Sequence, residues 1–241
     1  MNYNQGYSII DIECHKEHEK YMNINLREVN NSNGYLILNV DQKIENVSFT
    51  SLFMSKISSL EIIHSKSKRR TNKILLDEHE EKEDNARIIV KENINISSLS
   101  KVILTNVQLK GQMNIYDDSL LTFKKETIFD KESTVNVIFK NSKETRQQPI
   151  IRFDDVLNST PDKFLITFDN KAKSSDLTNY VIIEGTNYKT CLTWIDKLQF
   201  INKGKTKFES KCEYVDGGLT HFVLSSKKNK PNIGLIIGIV I

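Results

Sequence analysis

The sequence predicts an all-β protein, and most specifically a parallel β-helix, a solenoid closed by a C-terminal cap. Ala, the best helix former, occurs only twice in 241 residues, whereas the β-branched residues Ile, Val and Thr occur 30, 13 and 15 times. Short apolar runs also recur from Tyr35 onward, each bounded by polar or turn-forming residues. Both observations favour strands over helices.

The spacing of these runs favours a solenoid over other all-β folds. Leu104, Leu121 and Ile138 lie 17 residues apart in successive runs. The runs follow small polar residues, namely Ser100, Ser119 and Ser133. Short strands with polar corners at a fixed period predict a parallel β-helix, in which each coil buries its apolar face on the next. The alternative is an antiparallel β-sandwich, but hairpin dipeptides such as Asn-Gly and prolines are scarce.

The sequence divides into four segments, 1–34, 35–176, 177–226 and 227–241. Residues 1–34 are polar and form an N-terminal segment or a partial first coil, and residues 35–176 carry the coils. A charged loop at 64–85 interrupts them, with the basic run K-S-K-R-R followed by the acidic run D-E-H-E-E-K-E-D. Because these runs offset each other and the net charge is only +3, we expect no nucleic-acid partner.

Residues 177–226 are predicted to cap the solenoid, because its last apolar coil must be covered. This segment holds Cys191, Cys212 and the only Trp, Trp194. In an exported protein we expect the two cysteines to form a disulfide between strand-like segments at 192–201 and 207–214, with Trp194 packed nearby. The alternative is two buried thiols in a cytosolic protein. Cys14 is then the odd thiol.

The two ends of the chain point to different compartments. The first ten residues lack the pattern of a secretory signal, which favours the cytoplasm. Residues 227–241 instead read as a stalk followed by the start of a truncated transmembrane helix, since Ile233–Ile241 contains no polar side chain. Glycosylation sequons compatible with export begin at Asn30, Asn46, Asn95 and Asn158.

The stalk S-S-K-K-N-K-P and the apolar tail G-L-I-I-G-I-V-I resemble the corresponding segments of surface proteins from trichomonad parasites. The likeness extends loosely to the Cys191–Cys212 cap and to the short apolar runs of 86–170. The resemblance implies a right-handed parallel β-helix ectodomain, a single membrane helix and a short cytosolic tail.

Many β-helices are enzymes that cleave polysaccharides, but the sequence shows no catalytic signature of that class. The carboxylate pairs Asp117-Asp118 and Asp154-Asp155 are present, but adjacent residues of a strand point to opposite faces, which suits no shared proton. Arg152 and Asp154 share a face and are interpreted as a surface ion pair. The run C-H-K-E-H at 14–18 has no second ligand pair near it in sequence, so we expect no metal site and no cofactor.

The sequence therefore predicts a non-enzymatic, membrane-anchored cell-surface domain for adhesion or for presentation to a protein or glycan ligand outside the cell. The alternative function is a carbohydrate-active β-helix enzyme, a polysaccharide hydrolase or lyase. The alternative location is the cytoplasm, where the domain is expected to act as an interaction scaffold. No catalytic, cofactor-binding or metal-binding residue is assigned.

Overall fold

A computed structural model describes residues 6–12, 22–31, 34–40, 44–64, 87–140, 148–157, 159–169, 177–215 and 219–227. The first eight strands are β1 (Gly6–Ile12), β2 (Met22–Asn31), β3 (Gly34–Val40), β4 (Ile44–Met54), β5 (Ile57–His64), β6 (Arg87–Ile96), β7 (Lys101–Leu109) and β8 (Gln112–Tyr116). The others are β9 (Leu120–Phe129), β10 (Thr134–Phe139), β11 (Ile151–Leu157), β12 (Lys163–Phe168), β13 (Tyr180–Thr186), β14 (Leu198–Ile201), β15 (Phe208–Tyr214) and β16 (Thr220–Ser226). One helix, α1 (Tyr188–Asp196), lies between β13 and β14.

The strands form one curled, mostly parallel sheet, so the all-β prediction is confirmed. Strands pair in parallel with the strand two positions further along the chain, which gives an odd-numbered row from β1 to β13 and an even-numbered row from β2 to β14. The rows join where Ile88–Val90 of β6 pair with Val107–Leu109 of β7. In the described part of the chain, only β13–β16 and β15–β16 pair antiparallel. The antiparallel sandwich is therefore wrong.

Tight bends lie between and within the strands at residues with left-handed backbone angles. Lys56 and Leu99, with φ of 55° and 57°, precede β5 and β7. Asn106 and Lys125, with φ of 55° and 58°, interrupt the register of β7 against β9. Such angles are uncommon for residues other than Gly. Asn106 and Lys125 follow the aligned pair Thr105 and Lys124, so β7 and β9 bend at the same place.

Polar corners occur where the sequence predicts them. Ser100, Ser119 and Ser133 each directly precede a strand, and each is at most 1% exposed. The backbone N–H of Ser100 donates to the Ser119 Oγ at 3.0 Å, and that Oγ donates to the Ser97 carbonyl at 2.7 Å. Buried serines therefore satisfy the backbone groups that the turns leave unpaired.

Apolar side chains stack in register inside the sheet. Leu60 aligns with Leu104, Leu104 with Phe123, and Phe123 with Phe153 along the odd-numbered row. All four are at most 4% exposed. The stack changes from aliphatic to aromatic toward the C-terminal end, where the rings of Phe123 and Phe153 lie parallel at 5.2 Å. The core is thus continuous along the strand rows.

The 17-residue period predicted from the sequence is wrong. Leu104 aligns with Phe123 and Val102 with Leu121, while Ile138 belongs to the even-numbered row opposite Tyr116. Equivalent positions are 19 residues apart between β6 and β8 and 22 apart between β8 and β10. The period varies because corners of different length join strands that are themselves in register.

The segment from Tyr180 to Ser226 closes the C-terminal end of the sheet with α1 and an antiparallel hairpin. Cys191 in α1 and Cys212 in β15 form the predicted disulfide, with their Cα atoms 6.1 Å apart. Trp194 is fully buried and packs edge-on against Phe164 and Phe129. The expected strand at 192–201 is wrong in its first half, because Tyr188–Asp196 is helical.

Parts of two predicted segments lie outside the described residues: 65–85 of the charged loop, and 228–241 of the stalk and apolar tail. Within the predicted polar N-terminal segment, β1 pairs with β3 and β2 with β4. Among the residues that the structure describes, no helix is long and apolar enough to cross a membrane.

Candidate ligand-binding face

A row of asparagine side chains crosses the outer surface of the even-numbered strands. Asn95, Asn114 and Asn136, here called the amide row, occupy matching positions on β6, β8 and β10. Asn136 Nδ2 donates to Asn114 Oδ1 at 3.0 Å, and Asn114 Nδ2 donates to Asn95 Oδ1 at 3.0 Å. The Thr167 hydroxyl on β12 continues the row by donating to Asn136 Oδ1 at 2.8 Å. Side-chain hydrogen bonds therefore link four strands that are neighbours in the even-numbered row, β6, β8, β10 and β12.

The alternation of each strand sets the direction of the row. In β8, Met113 and Ile115 are fully buried, so Gln112, Asn114 and Tyr116 point to the opposite, outer side. In the same way, Asn95 in β6 and Asn136 in β10 are each preceded and followed in the sequence by a buried apolar residue. The pleat thus separates an apolar inner surface from an amide-rich outer one.

The outer surface of Asn93–Ile96 in β6 and of β8, β10 and β12 is here called the amide face. Its amides are Asn93, Asn95, Gln112, Asn114 and Asn136. Its other neutral side chains are Tyr116, Thr134, Ile138, Leu165 and Thr167. Lys163, at the start of β12, is its one charged side chain. Charged residues make up 27% of the whole sequence, so the amide face differs strongly from the average composition.

Tyr116 and Ile138 border the amide row and lie directly opposite each other in register. With Asn95 and Asn114 they line a shallow depression of about 360 Å³. The ammonium of Lys140 lies 5.6 Å from the centre of the Tyr116 ring, at the distance of a cation–π contact. The depression therefore combines an aromatic ring, an aliphatic surface and amide groups.

Gln112 extends the hydrogen-bonding network to one side of the row. Its Nε2 donates to Asn114 Oδ1 at 2.7 Å, so this oxygen accepts from two amides. Because an amide carries two N–H donors and two acceptor lone pairs, each asparagine of the row retains hydrogen-bonding capacity for a ligand. Side-chain carboxamides neither gain nor lose a net charge by titration near neutral pH. The arrangement is therefore suited to binding and not to acid–base catalysis.

Comparisons with known proteins were made against family models, curated proteins and solved structures. None of them gives a match. Interpretation of the amide face consequently rests on the geometry and chemistry of the chain itself.

The structure separates the carboxylates that the sequence singled out. Asp117 is 1% exposed, and its Oδ1 accepts from the Lys140 backbone N–H at 3.1 Å. Asp118 accepts from the Ser98 hydroxyl at 2.6 Å and from the Leu99 N–H at 3.0 Å, at the corner before β9. Asp154 and Asp155 are exposed on β11. The first pair therefore holds a turn together, and the second lies on a different strand.

Arg152 forms its ion pair with a residue other than the predicted one. Its Nε lies 3.2 Å from Glu184 Oε1 on the neighbouring strand β13, whereas no ion pair to Asp154 occurs among the described residues. His221 Nε2 on β16 lies 3.3 Å from Glu184 Oε2, and the His221 side chain is partly exposed. Glu184 thus links the parallel sheet to the antiparallel hairpin.

The asparagines of the glycosylation sequons lie in different surroundings. Asn30 is exposed on β2 and Asn46 is half-buried on β4, while Asn95 belongs to the amide row and Asn158 lies outside the described residues. The C-H-K-E-H run also lies outside them, and the described part of the chain holds no group of three metal-ligating side chains.

Sequence reasoning missed the amide row because asparagine is abundant in the whole chain. The available signal was a repeated triplet of an apolar residue, Asn and an apolar residue: I-N-I at 94–96, M-N-I at 113–115 and V-N-V at 135–137. These triplets recur at the separations of the strands that carry them. Their position, and not the amount of asparagine, indicates the face.

Proposed function

We propose that the chain is a right-handed parallel β-helix that acts as a non-enzymatic cell-surface domain and presents its amide face to an extracellular ligand. The single observation that carries the binding role is the ordered amide row on an almost uncharged outer surface. Because hydrogen bonds already order the side chains of the row, little side-chain conformational entropy is lost when a ligand binds to their donors and acceptors.

The β-helix part of the proposal is supported by the pairing of each strand with the strand two positions ahead. Every such pair is parallel, and the core residues stack in register between them. Connections between parallel strands of one sheet are right-handed in about 98% of cases, which favours that hand here. The cap formed by α1, β15 and β16 is the element that a solenoid needs at its end.

The extracellular location is supported by the Cys191–Cys212 disulfide, since such bonds persist mainly outside the reducing cytosol. Attachment to the membrane through the apolar tail remains a proposal from the sequence, because residues 228–241 lie outside the described part of the chain. The resemblance of the tail to those of trichomonad surface proteins agrees with this location.

A carbohydrate-active enzyme is not proposed. The buried Asp117 and the corner residue Asp118 are both committed to turn hydrogen bonds, while Asp154 lies on another strand. A glycosidase needs two carboxylates facing each other across one sugar linkage.

The location is tested with the full chain expressed in eukaryotic cells. Intact cells are treated with a membrane-impermeant amine label, and a maleimide is then added to the denatured protein with and without prior reduction. We expect surface labelling, and maleimide reaction of Cys191 and Cys212 only after reduction. Maleimide reaction of both cysteines without reduction, in a chain protected from the amine label, would establish the cytoplasmic alternative.

A further inference from the structure

The composition of the amide face restricts the charge of its ligand. The strands of the face carry one charged side chain, Lys163. A second charge, the ammonium of Lys140, comes from the residue after β10 and lies over the Tyr116 ring at the border of the face. Binding of a polyanion requires a set of Lys or Arg residues along the ligand path. The amide face provides no such set, so its hydrogen-bonding groups fit an uncharged ligand.

The free hydrogen-bonding capacity of the row fits hydroxyl groups. After the bonds within the row, Asn114 keeps one N–H, and Asn95 keeps both N–H groups and one lone pair. Asn136, which is only 9% exposed, keeps one N–H and one lone pair. Hydroxyls both donate and accept, so a ligand rich in them can satisfy each of these groups in turn. A protein surface would instead be expected to need large apolar or Arg anchors at its centre.

The geometry of the row fits a polymer. The three asparagines occupy equivalent positions on neighbouring strands of the even-numbered row, about 4.8 Å apart. Thr167 on the next strand lies in register with Ile138 and continues the row diagonally, so the row extends over about 14 Å. This spacing is close to the length of one sugar residue in an extended chain. Tyr116 adds an aromatic ring beside the row, against which the C–H face of a sugar can pack.

We propose that the amide face binds an uncharged polysaccharide whose chain runs along the amide row, with one sugar ring stacked on Tyr116. This inference rests on the proposed ligand-binding function and specifies its ligand. The exposed Lys140 side chain makes only a weak contact with the ring and is displaced when the sugar binds.

The test uses the full chain, made in a host without N-glycosylation so that Asn95 stays unmodified. Binding isotherms are measured with soluble β-glucan, xylan, galactomannan and dextran, and with polygalacturonate as the charged probe. We expect at least one neutral polysaccharide to bind with an affinity that changes little with salt, because no ion pairs form.

Two variants on the face and one control locate the binding. Tyr116→Ala and Gln112→Ala are expected to weaken binding about three- to tenfold each, which corresponds to loss of one packing or hydrogen-bonding contact. Gln108→Ala is the control, because Gln108 is an outer amide of β7 that donates to Asp130, away from the amide face. Its affinity is expected to remain within about twofold of the wild type. Unfolding midpoints confirm that each variant is folded. If Tyr116→Ala does not fold, the affinity of Gln112→Ala tests whether the amide face binds the polysaccharide.

The proposal is overturned if no neutral polysaccharide binds, if only polygalacturonate binds and salt removes it, or if folded face variants bind as well as the wild type. Capture of a protein through Tyr116 without any polysaccharide binding also overturns it. None of these results bears on surface labelling, so the cell-surface location stands or fails by its own experiment.

Discussion

Trp194 lies edge-on to Phe164, with the two ring centroids 4.9 Å apart and the ring planes at 82°. The helix α1 supplies the indole, and β12 of the even-numbered row supplies the phenyl ring. Both side chains are fully buried, and Phe129 contacts the same indole from the other row. The lone tryptophan therefore packs α1 against the apolar core near the C-terminal end of both strand rows.

Replacing Trp194 tests this role. Trp194→Ala is expected to lower the free energy of unfolding by about 3–5 kcal/mol, because a large cavity opens at the end of the core. Trp194→Phe is expected to cost less, since the buried indole N–H has no hydrogen-bond partner among the described residues and its removal leaves none unpaired. Urea unfolding measures both values.

Leu192→Ala is the matched control for the Trp194 variants, because Leu192 belongs to the same helix but is 42% exposed. Its cost is expected to be at most about 1 kcal/mol. Equal costs for Leu192→Ala and Trp194→Ala would show that the tryptophan does not pack α1 against the core.

Loss of the disulfide is expected to weaken the cap selectively. Cys191 and Cys212 are 21 residues apart, so their bond contributes about 3 kcal/mol on the chain-entropy estimate. Cys191→Ser should lower the midpoint of thermal unfolding, while amide hydrogen exchange in β6 to β12 stays close to that of the wild type. Cys212→Ser should behave alike, because either change removes the same bond.

Reducing agent provides the control for the disulfide. It should destabilise the wild type but should leave Cys191→Ser unchanged. Faster exchange throughout β6 to β12 in the variant would contradict a separate contribution of the cap.

Gly111, at the corner between β7 and β8, leaves no room for a side chain. A Cβ built there overlaps the backbone carbonyl of Glu92, which cannot move without disturbing β6. Gly111→Ala is therefore expected to cost about 2–4 kcal/mol, with the loss measured by urea unfolding. Gly204 is the control: its φ of 59° strains a side chain but no atom lies within 4 Å, so Gly204→Ala should cost only about 1 kcal/mol. Similar costs at both glycines would refute the close approach at Gly111.

The strands were predictable from the sequence because alternation in segments such as Q-M-N-I-Y is a local property. The helix α1 was not, since Thr, Cys and Trp have modest helix propensity. It forms because Asn187 caps it, accepting from the Thr190 N–H at 2.8 Å, and because Cys191 and Trp194 share its buried face. Neither the capping bond of Asn187 nor the burial of Cys191 and Trp194 can be seen in a count of residue types.

The ion-pair partner of Arg152 was a second feature that the sequence could not predict. Arg152 was paired with Asp154 on its own strand, but the neighbouring strand brings Glu184 to 3.2 Å. The separation between aligned residues depends on corner lengths, which range from two residues between β7 and β8 to much longer connections. The amide row was hidden for the same reason, although the triplets that carry it are visible in the sequence.

The amide row makes a pH-dependent prediction for Asn136→Asp. Asn136 is only 9% exposed, and its Nδ2 donates to Asn114 Oδ1, which also accepts from Gln112. A carboxylate at 136 has no proton for that oxygen, whereas a protonated carboxyl can donate to it. The pKa of the new carboxyl is therefore expected to be higher in the folded than in the unfolded chain.

A raised folded-state pKa gives stability that is present below the unfolded pKa and is lost as pH rises through the folded pKa. Asn136→Asp should thus be nearly as stable as the wild type at about pH 4 and should lose about 1–3 kcal/mol at about pH 7.5, measured as the difference in unfolding free energy at each pH. Asn93→Asp is the control, because Asn93 lies on the same face outside the row. A deficit for Asn136→Asp that is the same at both pH values, or that Asn93→Asp reproduces, would mean that the amide row contributes no directed hydrogen bonds.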